Sequence, residues 1–364
     1  MKKSIWASFD WGLLIIAVTL SAIGVVMIRS ATQGTIDLVD AWRRQAIYAI
    51  IGVVAMFLVA MVNYRLLESL QWPLYFLTLG ILVFTLFFGQ SEIGDVRRFI
   101  YIGGVSIQLA FPALILLIIS QASLLARNAP SPPGLVEFIA SMLMTGVAAA
   151  LVFMQPNLST ATLYMAVWGV LIFASGIRLV YLEGLGLVAA LIAPIAWFNM
   201  QEYMQNRIYT FLDPSRDPGA YYNIQQALIS IGSGGLMGKG LGTGTQSQRH
   251  FLRVRHTDFI FSVICEELGF VGAVLILLIF AALLWRLLRI AANAGDATGQ
   301  LTVVGVTTYI FYQLLINLGM NLNVIPVAGL PMPFVSSGGS SLVITFVGLG
   351  LVQSVAMRHK LREF

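Results

Sequence analysis

Asp258 ends the triplet His256-Thr257-Asp258 and stands immediately ahead of the apolar run Phe259 to Ile264, so its carboxylate lies where a polar segment enters a hydrophobic one. An aspartate in that place serves either as the N-cap of the following helix or as a general base. Arg249, Arg253, Arg255 and His256 fall within ten residues of it. That is more cationic charge than one cap needs, and it suits an anionic ligand such as a pyrophosphate. Glu266 and Glu267 follow inside the apolar run. Carboxylates at such depth are costly and face partners or a cavity.

Two further segments offer anion chemistry. GSGGLMGKG, from Gly232 to Gly240, resembles a phosphate-cradling loop, but a P-loop needs Gly where Ser233 stands and Ser or Thr where Gly240 stands. What survives is a glycine backbone that could offer N–H groups to an anion, with Lys239 as a point charge, or else a plain turn. Ser336 to Ser341, reading SSGGSS, follows Pro326, Pro331 and Pro333 and suits a helix cap or an anion site at a helix N-terminus. The three histidines, His250, His256 and His359, have no metal-ligand spacing, and the lone Cys265 excludes a disulfide framework.

The elements that must position these residues are membrane helices. With 58% hydrophobic and 10% charged residues among 364, the chain carries far less charge than the quarter or so usual in soluble domains. Continuous apolar runs of membrane-spanning length exclude a β-barrel. We expect an all-α polytopic membrane protein with about ten transmembrane helices near 11–28, 44–62, 73–89, 107–125, 135–153, 158–176, 179–198, 259–284, 301–321 and 341–357. The run 11–28 is long and lacks a small-residue cleavage site, so it reads as a retained span. No linker or repeat divides residues 1–364, which read as a single domain.

An even number of crossings puts both termini on one side, with Lys2, Lys3, Arg65, Arg127, Arg178, Arg286, Arg289, Arg358, Lys360 and Arg362. The opposite short loops hold Arg29, Arg43, Arg44, Arg97 and Arg98. The positive-inside rule makes the termini cytoplasmic, and it accounts for the net charge of +5 without a nucleic-acid partner. An irregular extracytoplasmic loop of about 199–258, between spans seven and eight, then joins the loops before spans four and ten around one outward cavity, out of reach of ATP.

The runs YNIQQALISIGSGGLMGKGLGTGTQ, HTDFIFSVICEELGF and NLGMNLNVIPVAGLPMPFVSSGGSSL resemble the RodA/FtsW/SpoVE family, the SEDS proteins of bacterial cell-wall synthesis, with the short termini nearer RodA than FtsW. The resemblance implies a SEDS fold and a peptidoglycan glycosyltransferase that polymerises lipid II in the bacterial inner (plasma) membrane. It also implies a class B penicillin-binding protein as partner and places the catalytic aspartate at Asp258. Arg207, Lys239, Gln246, Arg249, Arg255, His256, Thr257, Ser336 and Ser340 form the expected substrate-binding set. No cofactor is expected beyond a divalent cation that could help neutralise the leaving group.

The N-terminal half departs from the family pattern. Phe111 and Leu114 stand where members carry a glutamate and a lysine, Asn157 where they carry an aspartate, Ser159 for a glycine, Phe99 for a tryptophan and Arg253 for a common proline. Replacing both partners of an ion pair together avoids stranding a buried charge. The alternatives are a lipid II flippase, or a weakly active or non-catalytic scaffold for the penicillin-binding protein. The expected topology is directly testable. Cysteine at position 249 should react with an impermeant reagent in intact cells, and cysteines at 2 and 362 only after permeabilisation; labelling of all three in intact cells contradicts it.

Overall fold

The computed structural model describes residues 5–35, 38–90, 98–102, 105–249 and 251–358. Lys2, Lys3, Arg97, His250, His359, Lys360 and Arg362, which entered the topology and metal reasoning, lie outside the described residues. A 3-10 turn at Ile5–Ser8 leads into α1 (Trp11–Ala31), α2 (Ala41–Met61), the short α3 (Tyr64–Ser69) and α4 (Gln71–Phe88). A small antiparallel hairpin follows, β1 (Ile100–Ile102) with β2 (Val105–Ile107), in the register Tyr101 opposite Ser106. Next come α5 (Ala110–Ala126), α6 (Leu135–Met154), α7 (Leu158–Ala174) and α8 (Leu179–Phe198). The chain continues through α9 (Glu202–Leu212), α10 (Pro218–Ser233) and α11 (Thr245–Gln248) to α12 (Ile260–Ala292), α13 (Ala297–Asn321) and α14 (Gly339–Arg358).

Each of the ten expected crossing segments coincides with a helix, because an apolar run in hydrocarbon must satisfy its backbone within itself. Seven of these helices, α1, α2, α4, α6, α12, α13 and α14, are long and apolar enough to cross a membrane, while α5 and α7 are apolar but 17 residues long. The protein is a multi-pass membrane protein. Polar caps set several helix starts: Asp10 accepts from Leu13 N at 2.9 Å, and Asp296 from Gly299 N at 2.8 Å.

The expected irregular stretch of 199–258 is largely helical. α9 and α10 fill its first half, and Pro218 is the first residue of α10, where a missing N–H costs nothing. The hairpin of β1 and β2 is also an addition to the all-α expectation.

α13 and α14 sit at the centre, with 67% and 78% of their apolar windows buried against 22% for α2 and for α4. α14 packs closely on α2 because small residues let the backbones meet, the means by which membrane helices associate without a hydrophobic drive. A Cβ at Gly350 would lie 2.7 Å from the Met56 carbonyl oxygen and 2.8 Å from Val59 Cβ. Gly350→Ala should therefore lower the melting temperature in detergent by an amount equivalent to about 1–3 kcal/mol of overpacking. An unchanged melting curve would mean that this seam is loose.

Candidate active site

Asp258 is placed by its backbone. Asn317 and Asn321, one turn apart on α13, both donate to the Asp258 carbonyl, at 3.1 and 3.0 Å. Asn317 also donates to Leu330 O at 2.9 Å, and Asn321 accepts from Ser262 N and Ser262 Oγ at 3.2 and 2.6 Å. On the other side Ser336 Oγ donates to Thr257 O at 2.7 Å, Ser337 N donates to His256 O at 2.9 Å, and Gln45 Nε2 donates to Ser336 O at 3.0 Å. The segment 256–258 is thus tied to α13, to α2 and to the loop before α14. The N-cap residue of α12 is Phe259, without a side-chain cap. The Asp258 carboxylate accepts no hydrogen bond from the described residues, so the capping alternative falls.

That carboxylate faces a cavity of about 570 Å³. Arg44 from α2, Arg98 ahead of β1 and Arg207 from α9 line it together with Gln108, His256, Thr257 and residues 337–341. α14 starts at the cavity wall, so the positive end of its dipole adds to the three cations. Burial raises the Asp258 pKa from 3.8 to about 6, against the opposing pull of Arg207. Burial, with the charges of Arg255 and Arg44, lowers His256 to about 4. The imidazole is therefore neutral at physiological pH, and its buried Nδ1 has no hydrogen-bond partner among the described residues. A cationic chamber with one carboxylate of raised pKa can hold a pyrophosphate and accept a proton beside it.

The expected substrate-binding residues divide. Arg207, His256, Thr257 and Ser340 line the cavity with Asp258. Ser340 Oγ accepts from Gln108 N at 3.3 Å, and Arg207 donates to Val327 O at 3.3 Å. Ser336 is buried and positions the loop: it donates to Thr257 O and accepts from Met332 N at 2.8 Å. Arg255, also buried, points away to Ala31 O at 2.5 Å and Thr35 Oγ1 at 2.7 Å, tying α1 to this segment. Arg249 is exposed beyond α11 and does not line the cavity.

Lys239 and Gln246 belong to a separate cluster around Glu266. Lys239 Nζ reaches Glu266 Oε1 at 3.0 Å, and the backbone N–H groups of Gln246 and Ser247 donate to the same carboxylate at 2.8 and 3.1 Å. The Lys239 charge is spent on a buried partner. The glycine loop is spent as well, because α12 breaks at Gly269, with φ of 69°, and the loop crosses the break. Lys239 N and Gly240 N cap Glu266 O and Glu267 O at 3.0 and 2.9 Å, while Phe270 N reaches Gly235 O at 2.9 Å. A Cβ on Gly238 would sit 2.2 Å from Glu267 O. These glycines allow two backbones to cross, and their N–H groups are not offered to an anion.

Sequence reasoning had assigned Arg44 and Arg98 to the outer loops but not to the site. The signal was their shared face with Asp258. Arg98 donates to Pro156 O, and that contact fixes the start of α7 beside the cavity. Phe111, in the cavity wall, meets Tyr309 edge-on with centroids 6.2 Å apart, and Leu114 is fully buried. Both positions are filled by packing, with no stranded charge. Asn157 caps α7, accepting from Thr160 N at 3.3 Å, so it does the local work an aspartate would do there.

Residues 10–361 match the FtsW/RodA/SpoVE family, described as "Cell cycle protein". The chain belongs to this family. The protein named "Peptidoglycan glycosyltransferase MrdB" from Escherichia coli K12 is 36% identical, over 99% of this chain and 97% of its own length. "Stage V sporulation protein E" from Bacillus subtilis is 34% identical over 95% and 96%. Among solved structures, a chain from work described as "Structural coordination of polymerization and crosslinking by a peptidoglycan synthase complex" superposes with a TM-score of 0.83 at 31% identity, covering 98% of this chain and 99% of that one. The Thermus thermophilus rod shape determining protein RodA superposes with a TM-score of 0.73 at 29% identity and the same coverage. The FtsW/RodA/SpoVE fold is therefore present from end to end.

The Asp258 environment predicts a stability signature. Its raised pKa means the folded state keeps a proton where the unfolded chain has released it. The group's contribution is full below 3.8 and is lost as pH rises through about 6. Asp258→Asn should melt above the parent at neutral pH, and the difference should shrink to nothing near pH 4. A variant that melts below the parent at neutral pH would contradict the burial of this carboxylate.

Proposed function

We propose that this FtsW/RodA/SpoVE member is a peptidoglycan glycosyltransferase that elongates glycan strands from lipid II, with Asp258 as the general base. The observation that carries the reading is one uncapped carboxylate of raised pKa in a cavity lined by Arg44, Arg98 and Arg207. The relatives named as peptidoglycan glycosyltransferases and the peptidoglycan synthase structure support it. In the reaction the acceptor sugar hydroxyl loses its proton to Asp258 and its oxygen bonds to the anomeric carbon of the donor. The bond from that carbon to the pyrophosphate oxygen breaks, and the polyprenyl pyrophosphate leaves with the electron pair. The three arginines and the α14 N-terminus face the charge that develops. With a pKa of about 6, Asp258 is largely ionised at neutral pH yet basic enough to take a proton.

A second, mostly apolar cavity of about 220 Å³ shares Arg98 and Arg207 with the first and continues past Ile316, Pro326 and Val327. A polyprenyl chain would find apolar surface there, next to the cations for its pyrophosphate. The donor set does not fit a cation held by the protein: the cavity offers one carboxylate and a neutral imidazole, and among the described residues no three His, Cys, Asp or Glu side chains converge.

Ser8 to Gly12, ahead of and at the start of α1, and Ala356 in the last turns of α14 share one cavity with the far end of α12, on the face opposite Asp258. Together with the positive-inside rule this supports cytoplasmic termini and a cavity on the outer face of a bacterial plasma membrane. The partner in this reading is a class B penicillin-binding protein, which would cross-link the strands made here.

The test is glycan polymerisation by the purified protein with lipid II and such a partner. Asp258→Asn should polymerise about 10²- to 10⁴-fold more slowly while staying folded. Arg44→Ala, at an exposed cation of the cavity wall, should lower the rate with little loss of stability, whereas Lys239→Ala should act through stability because it strands Glu266. Polymerisation by Asp258→Asn at the parent rate would sink the base assignment. A parent that moves lipid II across vesicles without making strands would favour a flippase.

A further inference from the structure

The face opposite Asp258 carries a second polar chamber that the proposed reaction does not use. It has a volume of about 460 Å³ and lies between the start of α1 and the end of α12, lined by Asp10, Trp11, Gly12, Arg286, Arg289 and Asn293. Its parts are fixed. Asp10 exchanges backbone and side-chain hydrogen bonds with Gln353, 2.9 Å from Asp10 N to Gln353 Oε1 and 2.8 Å from Gln353 Nε2 to Asp10 O. The Asp10 carboxylate caps α1 and takes Arg286 Nε at 2.7 Å. The Arg286 guanidinium lies against Gly12, where a Cβ would fall 2.3 Å from its Cζ. Arg289 rests over the Trp285 ring, 5.5 Å from the centroid. Among the described residues that line it, two arginines and one carboxylate leave one positive charge.

The chamber opens onto lipid. Trp11 and Trp285 beside it are 56% and 59% exposed, the placement of aromatic rings at a membrane interface. A separate apolar groove of about 420 Å³ runs along α1, lined by Val18, Thr19, Ala22 and Val26 together with Leu241 and Leu268. At 100° per residue Trp11, Gly12, Val18, Thr19, Ala22 and Val26 fall on one face of α1. The rise from Gly12 to Ala22 is about 15 Å, close to half the hydrocarbon thickness of a bilayer. The chamber and the trough thus lie along one face of α1, the trough beginning at Val18 and bounded by Leu241 and Leu268.

We propose that the α1/α12 seam is a binding site for an anionic phospholipid of the leaflet opposite Asp258, with the phosphate at Arg286 and Arg289 and an acyl chain along α1 towards Ala22. Charge selects the occupant: a zwitterionic head brings its own cation to a chamber that is already positive.

The full-length protein in nanodiscs of phosphatidylcholine, with or without phosphatidylglycerol, tests this through lipid retained in native mass spectrometry and through the melting temperature. Phosphatidylglycerol should be retained and should raise the melting temperature. Arg289→Gln, which among the described residues gives up the side-chain contact with Trp285, should weaken retention about fivefold, the factor for one cation at an anionic leaflet. Ala22→Trp should block the trough and lower retention without touching the chamber, and inorganic phosphate alone should not stabilise the protein. Equal retention of the two lipids, unchanged retention in both variants, or full stabilisation by phosphate would overturn the assignment. Glycan polymerisation is not read in this assay, so its outcome is separate from that of the reaction proposed above.

Discussion

Two amides on successive turns of α13 hold this site together. Asn317 and Asn321 both donate to the Asp258 carbonyl, and between them they also satisfy Leu330 O and the Ser262 N–H and hydroxyl. In a membrane interior an orphaned backbone group costs several kcal/mol, so these bonds fix the start of α12 and the loop before α14 in one arrangement. Asp258 is held through its main chain, and its side chain remains unengaged by the described residues. That division of labour explains the raised pKa. The carboxylate is buried without the hydrogen bonds that would stabilise its charge, and the charge of Arg207 offsets only part of the penalty.

The cations nearby sort by what they already touch. Lys239 is neutralised by Glu266, and Arg255 is consumed by carbonyl and hydroxyl oxygens of the segment after α1. Arg44, Arg98 and Arg207 line the cavity together with Asp258. A neutral His256 adds a polar group without adding charge. This field favours a dianionic leaving group over a neutral sugar, and it acts through fixed side chains carried by α2 and α9 and by the segment just before β1.

Much of this was legible in the sequence, for identifiable reasons. Apolar run length places helices because hydrocarbon leaves the backbone no other option, so each of the ten segments coincides with a helix, although α12 runs on to Ala292, past the expected end at 284. Asp258 was readable because a carboxylate at an interface has few uses. Its partners were not. Arg255 lies three residues before Asp258 yet points to α1, while Arg44 and Arg98 are distant in sequence and arrive by packing. The glycine loop misled for a related reason: a backbone that can approach a phosphate can equally approach a broken helix, and only the position of Gly269 decides which. The helices α9 and α10 were hidden by polar composition, because amphipathic helices at a surface lack the signal that marks a span. The paired loss of charge at Phe111 and Leu114 was legible as coherent, and the packing of Phe111 on Tyr309 shows how the space is filled.

The central claim is that one carboxylate, tuned by burial and opposed by Arg207, accepts the proton in glycan transfer. The pH dependence of single-turnover polymerisation measures it most directly. The rate should fall on the acid side with a midpoint near 6, as Asp258 becomes protonated. Arg207→Gln should move that midpoint to higher pH, since Arg207 is the charge that lowers it. An acid limb that is absent, or one that stays in place when Arg207 is neutralised, would contradict the account.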